Sequence, residues 1–173
     1  PKPAAPKKQN TQHPGRNTKA PSRSASRPSL STLMIQPTST NGSRTGPFGQ
    51  RLHPILRVWR LHTGVDIGNT CNKPIVATAS GKVTFVGKTA GGGTTTVISH
   101  GQFAGVRHVE TKYLHQSLTL VRAGQTVRSG QVIGMTGKTG LATSCHLHYS
   151  TYENGKPVDP QKYIGALTKL RNY

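Results

Sequence analysis

Acidic residues are scarce in this chain, which has four Asp and Glu against 23 Lys and Arg in 173 residues. The formal charge of +19 predicts attraction to polyanions such as nucleic acids, anionic wall polymers and anionic lipid surfaces. Aromatic residues make up only 5% and no specific nucleic-acid motif is present, so a function in reading DNA or RNA is not favoured. Because acids are so few, each carboxylate is a candidate functional group rather than surface decoration.

Long apolar runs and long helical periodicities are also missing. No stretch is apolar enough over sufficient length to form a transmembrane segment, and no signal peptide is recognisable. No segment keeps a hydrophobic period of about 3.6 residues, so helices are expected to be minor, and repeats of the solenoid or propeller type are absent. The chain begins with Pro1 rather than Met, which we interpret as the start of a fragment or a processed product.

Composition divides the chain into a basic arm and a folded domain. Residues 1–44 are mainly Pro, Ser, Thr, Asn, Ala and basic residues, with eight Lys or Arg, no acid and one apolar island at 33–35. Such a segment buries too little apolar surface to offset its ordering entropy, so we expect an arm or linker that is flexible unless a partner orders it. Residues 45–165 form the predicted domain, and residues 166–173 form a C-terminal tail.

Short β-favouring runs separated by glycine-containing turns fill the predicted domain. Among the turns, Asn154-Gly155 is a strong signal for a two-residue hairpin. This pattern predicts an all-β domain, an antiparallel sheet or β-sandwich-like arrangement with minor helix. The runs lie at 65–68, 74–79, 81–87, 94–100, 111–115, 125–137 and 146–152.

Two histidines flank a single leucine in the run SCHLHYS at residues 144–150. On a strand, His146 and His148 lie on the same face because successive side chains alternate, so both imidazoles can project toward one point. Two converging imidazoles are a natural start for a metal site. A strand with two solvent-facing histidines is equally compatible with this spacing, which alone does not decide between them.

Further candidate ligands occur earlier in the chain. His62 and Asp66 form an HxxxD unit with Gly64 between them, which we expect to let the backbone bend, and His115 ends the run TKYLH. Imidazoles with a carboxylate are the ligand types of a zinc ion that keeps one position open to water. Such an ion lowers the pKa of its water toward about 7, and additional histidines can move protons and stabilise developing charge.

These motifs, in this order, resemble those of the lysostaphin/LytM-type zinc endopeptidases, which cleave peptide cross-links in bacterial cell walls. The resemblance implies the duplicated hybrid motif fold of that family, one zinc ion, and hydrolysis of peptidoglycan peptides by a metal-activated water. It covers about residues 46–164 and includes GPFGQRLHP at 46–54, HTGVDIG at 62–68, YLH at 113–115, VRAGQTVRSGQVIGMTGKTG at 121–140 and CHLHY at 145–149.

The resemblance also divides the candidate residues by role. It implies that His62, Asp66 and His148 are the zinc ligands. It further implies that His115 and His146 are catalytic and act on the water and the tetrahedral intermediate. The alternative function, from a different class, is a catalytically silent relative that binds wall material or activates another hydrolase.

Some positions depart from the family pattern or leave a role open. A Glu often follows the aromatic residue after HLH in relatives, whereas Ser150 follows Tyr149 here, which affects no proposed ligand. The segment 101–115 is longer than the usual approach to YLH, so we expect an unusual loop beside the cleft. Arg51 occupies a recurrent family position near the cleft, where a structural role and a substrate contact are equally compatible with the sequence.

The two cysteines, Cys71 and Cys145, flank the two halves of the predicted metal site. As a disulfide they would close a loop of about 75 residues, worth roughly 4 kcal/mol in the chain-entropy model, and would suit an extracytoplasmic or virion-exposed protein. Two free buried thiols are the alternative. A role as metal ligands is not favoured, because the site that the resemblance implies is already complete.

The expected partner is bacterial peptidoglycan, and the basic arm is expected to bind anionic wall polymers or other virion proteins. The expected location is extracytoplasmic, in the cell wall or periplasm, or on a phage virion. The lack of a recognisable wall-binding module favours a virion-associated lysin over a host autolysin, and the arm can alternatively be a prosegment that covers the cleft. Whether glycyl-glycine or D-alanyl-diaminopimelate bonds are cut stays open at this point.

Overall fold

The computed structural model of the protein describes residues 33–38, 43–68, 70–166 and 168–169. These residues form β-strands and one short helix, α1 at Gln161–Ile164, so the predicted all-β class with minor helix is confirmed. The strands are β1 Ser43–Gly46, β2 Gly49–Leu52, β3 Trp59–His62, β4 Val65–Ile67, β5 Pro74–Val76, β6 Gly81–Thr89, β7 Gly93–Phe103, β8 Val106–Leu114, β9 Leu118–Thr119, β10 Thr126–Val127, β11 Val132–Met135, β12 Leu147–Glu153, β13 Lys156–Val158 and β14 Thr168–Lys169.

The largest sheet brings the separated sequence motifs onto adjacent strands. Its strand order is β10-β6-β7-β8-β12-β4-β1-β14, with β13 paired to β12 through the predicted Asn154-Gly155 hairpin. Strand β12 lies between β8 and β4 and is antiparallel to both. This register places His148 opposite Asp66 on one side and opposite Leu114 on the other. The HxxxD, YLH and HLH motifs therefore meet at one end of three neighbouring strands.

A smaller sheet of order β5-β11-β9 shares one hydrophobic core with the large sheet. Ile75 and Ile133 of the small sheet are fully buried, as are Val83, Ile98 and Leu147 of the large sheet. Each buried aliphatic side chain of this size contributes about 1.5–3 kcal/mol relative to exposure. The core therefore anchors the strands that carry the candidate site.

Strand alternation explains why the tyrosines of two motifs point away from the histidines. Tyr113 and Tyr149 are fully buried, with ring centroids 5.3 Å apart. Their hydroxyls lie 3.1 and 3.0 Å from Oγ1 of Thr78, which itself is fully buried. Because Tyr149 faces the core, the preceding His148 faces the opposite side of the sheet. The buried hydrogen bonds thus fix the direction of the functional side chain.

The segment 101–115 does not form the cleft loop that the sequence suggested. Strands β7 and β8 continue through it as an antiparallel pair, joined by a turn at Ala104-Gly105. Both turn residues have positive φ, 51° and 83°, as a two-residue hairpin turn requires. The extra residues therefore lengthen a hairpin, and the expectation of an unusual loop beside the cleft was wrong.

Two pieces of the predicted arm lie within the described residues. In the segment 33–38, Met34 is buried in the core and its backbone N–H donates to the carbonyl of Tyr163 at 3.1 Å. Arg44 pairs with Ile67 of β4, and residues 43–44 pair in parallel with β14 of the predicted tail. The rest of the predicted arm, 1–32 and 39–42, lies outside the described residues, and the boundary between residues 44 and 45 stays a prediction.

Within the part of the chain that the structure describes, no helix is long and apolar enough to cross a membrane.

Candidate metal centre and active site

Three buried side chains from three strands converge on one point. His62 Nε2 lies 3.1 Å from Asp66 Oδ1 and 2.9 Å from His148 Nδ1. Asp66 Oδ1 and His148 Nδ1 are also 2.9 Å apart. The three residues are 7–8% exposed, and their ligand atoms form a cluster that could hold a metal ion. They are the three residues predicted as zinc ligands.

Each imidazole of the cluster also has a hydrogen-bond partner on its far side. His62 Nδ1 lies 2.6 Å from the carbonyl oxygen of Pro47, which can only accept, so Nδ1 carries the proton and Nε2 does not. His148 Nε2 lies 2.9 Å from Ser150 Oγ, and in the tautomer in which Nε2 donates to this hydroxyl, Nδ1 is unprotonated. Two nitrogen lone pairs and a carboxylate oxygen then face one another within 3.1 Å. Such an arrangement is repulsive unless a proton or a metal cation is shared between the three atoms.

The spacing of these atoms fits zinc. Ligand distances of about 2.0–2.1 Å in a tetrahedral site place neighbouring ligand atoms about 3.3 Å apart, close to the observed separations. Two imidazoles and one carboxylate are also a ligand set of catalytic zinc sites, in which a further position stays open. The residues present therefore fit the ion that the sequence predicted.

Asp66 stays ionised despite its burial. Burial by itself raises the pKa of its carboxyl group, but hydrogen bonds with His146, His148 and His62 outweigh this and hold the pKa far below its usual range. Its second oxygen, Oδ2, accepts a hydrogen bond from Arg51 Nη2 at 3.0 Å. Arg51 thus has a structural partner in Asp66. The sequence alone did not predict this contact.

His115 and His146 lie beside the cluster rather than within it. Their ring centroids are 4.8 Å apart, and each Nδ1 donates to a main-chain carbonyl, His115 to Thr139 at 2.8 Å and His146 to Ser144 at 2.9 Å. In the neutral rings, Nε2 is therefore the unprotonated nitrogen. His146 Nε2 lies 3.5 Å from Asp66 Oδ1. His115 adopts a left-handed backbone conformation, φ 62°, which is uncommon for a non-glycine residue.

The two flanking histidines differ in how readily they take up a proton. Burial lowers the pKa of His115 to about 4, so this imidazole is neutral at pH 7. Burial also opposes protonation of His146, but its hydrogen bond and charge interaction with Asp66 raise the pKa above the usual value. The pair can therefore offer one proton acceptor and one proton donor.

An open cleft of about 400 Å³ lies over the cluster and is lined by all five predicted site residues. The β2–β3 hairpin forms one wall and contributes Arg51, Arg60 and Leu61. Other lining residues are Gly91, Gly92, Leu141, Thr143 and Ser144. A substrate can therefore reach the cluster from solvent through this open cleft.

Gly64 has a different role from the bend expected of it. Its φ is not in the left-handed region, and a Cβ at this position would collide with the carbonyl oxygen of Tyr149 and lie 2.6 Å from Ser150 Oγ. The glycine is therefore required because β12 approaches the backbone closely at this point. This close approach lets Asp66 and His148 meet across the two strands.

The structure pairs Cys71 with Cys145 in a disulfide, as favoured from the sequence. Cys145 immediately precedes His146, whose backbone N–H donates to the carbonyl of Gly137 at 3.1 Å. The disulfide therefore fixes the segment that enters β12 to the loop that follows β4.

The open cleft of this all-β domain contains two histidines and one aspartate, which are the ligand types of a hydrolytic metal centre. Residues 60–160 match the family model described as Peptidase family M23. The chain belongs to peptidase family M23.

Known relatives support this assignment. The chain is 45% identical over 116 residues to the DD-carboxypeptidase/endopeptidase Mpg of Neisseria meningitidis, covering 67% of this chain and 26% of that protein. A zinc containing peptidase from Vibrio cholerae is 32% identical, with a TM-score of 0.61, covering 78% of this chain and 37% of that one. The catalytic domain of lysostaphin from Staphylococcus simulans is 28% identical, with a TM-score of 0.61, covering 72% and 92%.

The resemblance to lysostaphin-type peptidases is therefore confirmed, whereas the individual roles of the five site residues stay predictions. The chain spans about a quarter of the length of the curated relatives it matches.

Proposed function

We propose that this chain is a zinc-dependent endopeptidase that hydrolyses peptide cross-links of bacterial peptidoglycan. The observation that carries the proposal is the convergence of His62, Asp66 and His148, whose possible ligand atoms lie 2.9–3.1 Å apart. Membership of a peptidase family supplies the reaction class, hydrolysis of a peptide bond.

In this proposal, the three ligands hold one zinc ion at the floor of the cleft. When bound there, Zn²⁺ supplies a Lewis acid that polarises a carbonyl and lowers the pKa of water toward about 7. Pro47 and Ser150 orient the imidazoles of His62 and His148 through their far nitrogens, as outer-shell partners of metal-binding histidines do. Arg51 holds the second carboxylate oxygen of Asp66 and leaves Oδ1 to face the metal.

His115 and His146 divide the proton transfers in this mechanism. His115 is neutral at pH 7 and its Nε2 is free to accept a proton from the attacking water. Protonated His146 donates a hydrogen bond to the substrate oxygen on which negative charge develops, and it can pass its proton to the leaving amine. Fixed Nδ1 hydrogen bonds keep both rings oriented for these steps.

We propose that the bond cleaved lies between two D-configured centres, as in the D-alanyl-diaminopimelate cross-link. The support is the 45% identity to a relative whose name specifies DD-carboxypeptidase and endopeptidase activity, against 28% to lysostaphin.

An extracytoplasmic location follows from this substrate and suits the disulfide. A phage-virion origin, and binding of anionic wall polymers or virion proteins by the basic arm, remain part of the proposal. The catalytically silent alternative is less favoured, because all five predicted side chains line one cleft.

The experiment that tests the proposal is digestion of two purified peptidoglycans, one with D-alanyl-diaminopimelate cross-links and one with glycine bridges. Products are identified by mass spectrometry, before and after chelation and with zinc added back. We expect cleavage of the first wall at the D-alanyl bond, loss of activity on chelation and recovery with zinc. Metal-loaded protein that cleaves neither wall would contradict the enzymatic function and favour the silent binding relative.

A further inference from the structure

Arg60 is a cation on the cleft wall without an anionic partner in the described part of the chain. It lies on β3, directly opposite Arg51 of β2, and both side chains line the cleft. Arg51 bonds to Asp66 Oδ2 at 3.0 Å, whereas no hydrogen bond or ion pair joins the Arg60 side chain to another described residue. Arg51 is therefore ion-paired, whereas Arg60, which lies opposite it on the neighbouring strand, is not.

The charged groups around Arg60 leave a net positive charge in this part of the cleft. Like charges directly opposite each other on a sheet are destabilising. His53 also lines this wall, and its pKa is lowered by burial and then by the charges of Arg60 and Arg51. Asp66 is the one carboxylate among the described residues of the cleft, and its two oxygens are engaged by histidines and by Arg51. An anion that enters the cleft would therefore find Arg60 available.

The position of Arg60 defines which substrate group it can reach. It is two residues before His62 on the same face of β3, about 6.7 Å along the strand. Consecutive α-carbons of a peptide are about 3.8 Å apart, so the long arginine side chain can reach a group one residue from a bond held at the metal centre. The planar guanidinium forms two parallel hydrogen bonds with a carboxylate, which a point charge cannot do.

We propose that Arg60 binds a free carboxylate on the residue that supplies the scissile nitrogen, and that it thereby selects cross-links bearing this group. The inference rests on the proposed function and adds a specificity-determining residue to it. In a D-alanyl-diaminopimelate cross-link, the carbon attached to the scissile nitrogen carries a free carboxylate. Within a glycyl-glycine bridge, the corresponding carbon continues into another amide. Arg60 therefore distinguishes these two wall chemistries.

The test compares the activity of several protein variants on two substrates that differ in one carboxylate. Two cross-linked muropeptide dimers are compared, with the diaminopimelate carboxylate beside the scissile bond either free or converted to a carboxamide. The proteins are wild type, Arg60→Gln, Arg60→Lys and the control Arg57→Gln, which removes the same charge from the same hairpin outside the cleft. Zinc content and circular dichroism establish that each variant is folded and metal-loaded.

We expect wild type and Arg57→Gln to prefer the free-carboxylate dimer by about tenfold or more in kcat/KM, the strength of a charge-assisted bidentate contact. In Arg60→Gln the ratio of the two kcat/KM values should approach one, mainly through KM, and Arg60→Lys should recover part of it. Equal losses on both dimers in Arg60→Gln, or loss of the preference in Arg57→Gln, would overturn the inference. Failure of wild type to hydrolyse either dimer would instead contradict the proposed function on which the inference rests.

Discussion

Removal of the Cys71–Cys145 disulfide should destabilise the domain mainly through the unfolded chain. The bond joins residues 74 positions apart. The chain-entropy model assigns about 4 kcal/mol to a loop of this length. Cys71 is exposed and Cys145 is half-buried, so serine at both positions removes little core packing from the folded state. The free energy of unfolding of the double variant Cys71→Ser, Cys145→Ser is therefore expected to fall by about 4 kcal/mol.

Urea and thermal unfolding followed by circular dichroism measure this loss. For a domain of this size, about 4 kcal/mol corresponds to a decrease in Tm of roughly 10–20 °C. Reduced wild type serves as the control, because it lacks the cross-link but keeps both native residues, and it should unfold close to the double variant. A loss below about 1 kcal/mol in both samples would refute the reasoning that the disulfide restricts the unfolded chain across the whole loop.

Three further predictions concern the site. Ser150→Ala should weaken zinc binding about tenfold in chelator competition, because His148 Nε2 loses the hydroxyl that orients the ring. Gly64→Ala should lower the free energy of unfolding by about 1–3 kcal/mol in urea melts, since its Cβ would collide with the Tyr149 carbonyl. Metal-free protein should lose stability as pH falls from 6.5 toward 4, because the folded-state pKa of His115 is lowered to about 4 and only the unfolded chain takes up the proton in this range.

Each of these predictions has a matched variant. Ser150→Thr keeps the hydroxyl and should keep most of the zinc affinity, so equal losses in the Thr and Ala variants would show that the hydroxyl is not the cause. Gly91→Ala adds the same methyl group where the nearest atom is 3.9 Å away, and it should be tolerated far better than Gly64→Ala. His115→Gln should flatten the fall in stability between pH 6.5 and 4, and an unchanged slope would contradict the assignment to this residue.

The five candidate residues could be picked out of the sequence, but which of His146 and His148 lies opposite Asp66 depends on strand register. Their spacing predicts a shared face, and both do line the cleft. The register of β12 with β4 places His148 directly opposite Asp66, whereas the last pair of this ladder is Leu147 with Ile67. His146 thus lies beyond the paired strands, next to the disulfide. The two-residue spacing of the histidines shows that they share a face of the strand. It does not show where the neighbouring strand ends, and so it does not show which histidine lies opposite Asp66.

Other parts of the site arise from contacts between distant segments, which local patterns do not encode. Arg51 meets Asp66 only because the β2–β3 hairpin folds over the cleft. Ser150 is a local case, because it lies two residues after His148 on the same face of β12 and hydrogen-bonds to its Nε2. The expectation that Ser150 affects no proposed ligand was therefore wrong. The HTG motif did identify Gly64 as special, but the reason is the approach of β12 rather than a local bend. For residues 101–115 a signal was available in the sequence, since Val109, Thr111 and Tyr113 alternate with the charged residues Glu110 and Lys112, as is typical of a half-buried strand.

The zinc content of three proteins tests the central claim most directly: wild type, His62→Ala and His146→Ala, each purified with zinc and assayed on the same peptidoglycan. We predict one zinc per chain in wild type and in His146→Ala, little zinc in His62→Ala, and hydrolysis by wild type alone. This result would separate a metal ligand from a catalytic histidine within one cleft. Zinc retained by His62→Ala but lost from His146→Ala, or wild type that hydrolyses the wall without zinc, would contradict the account.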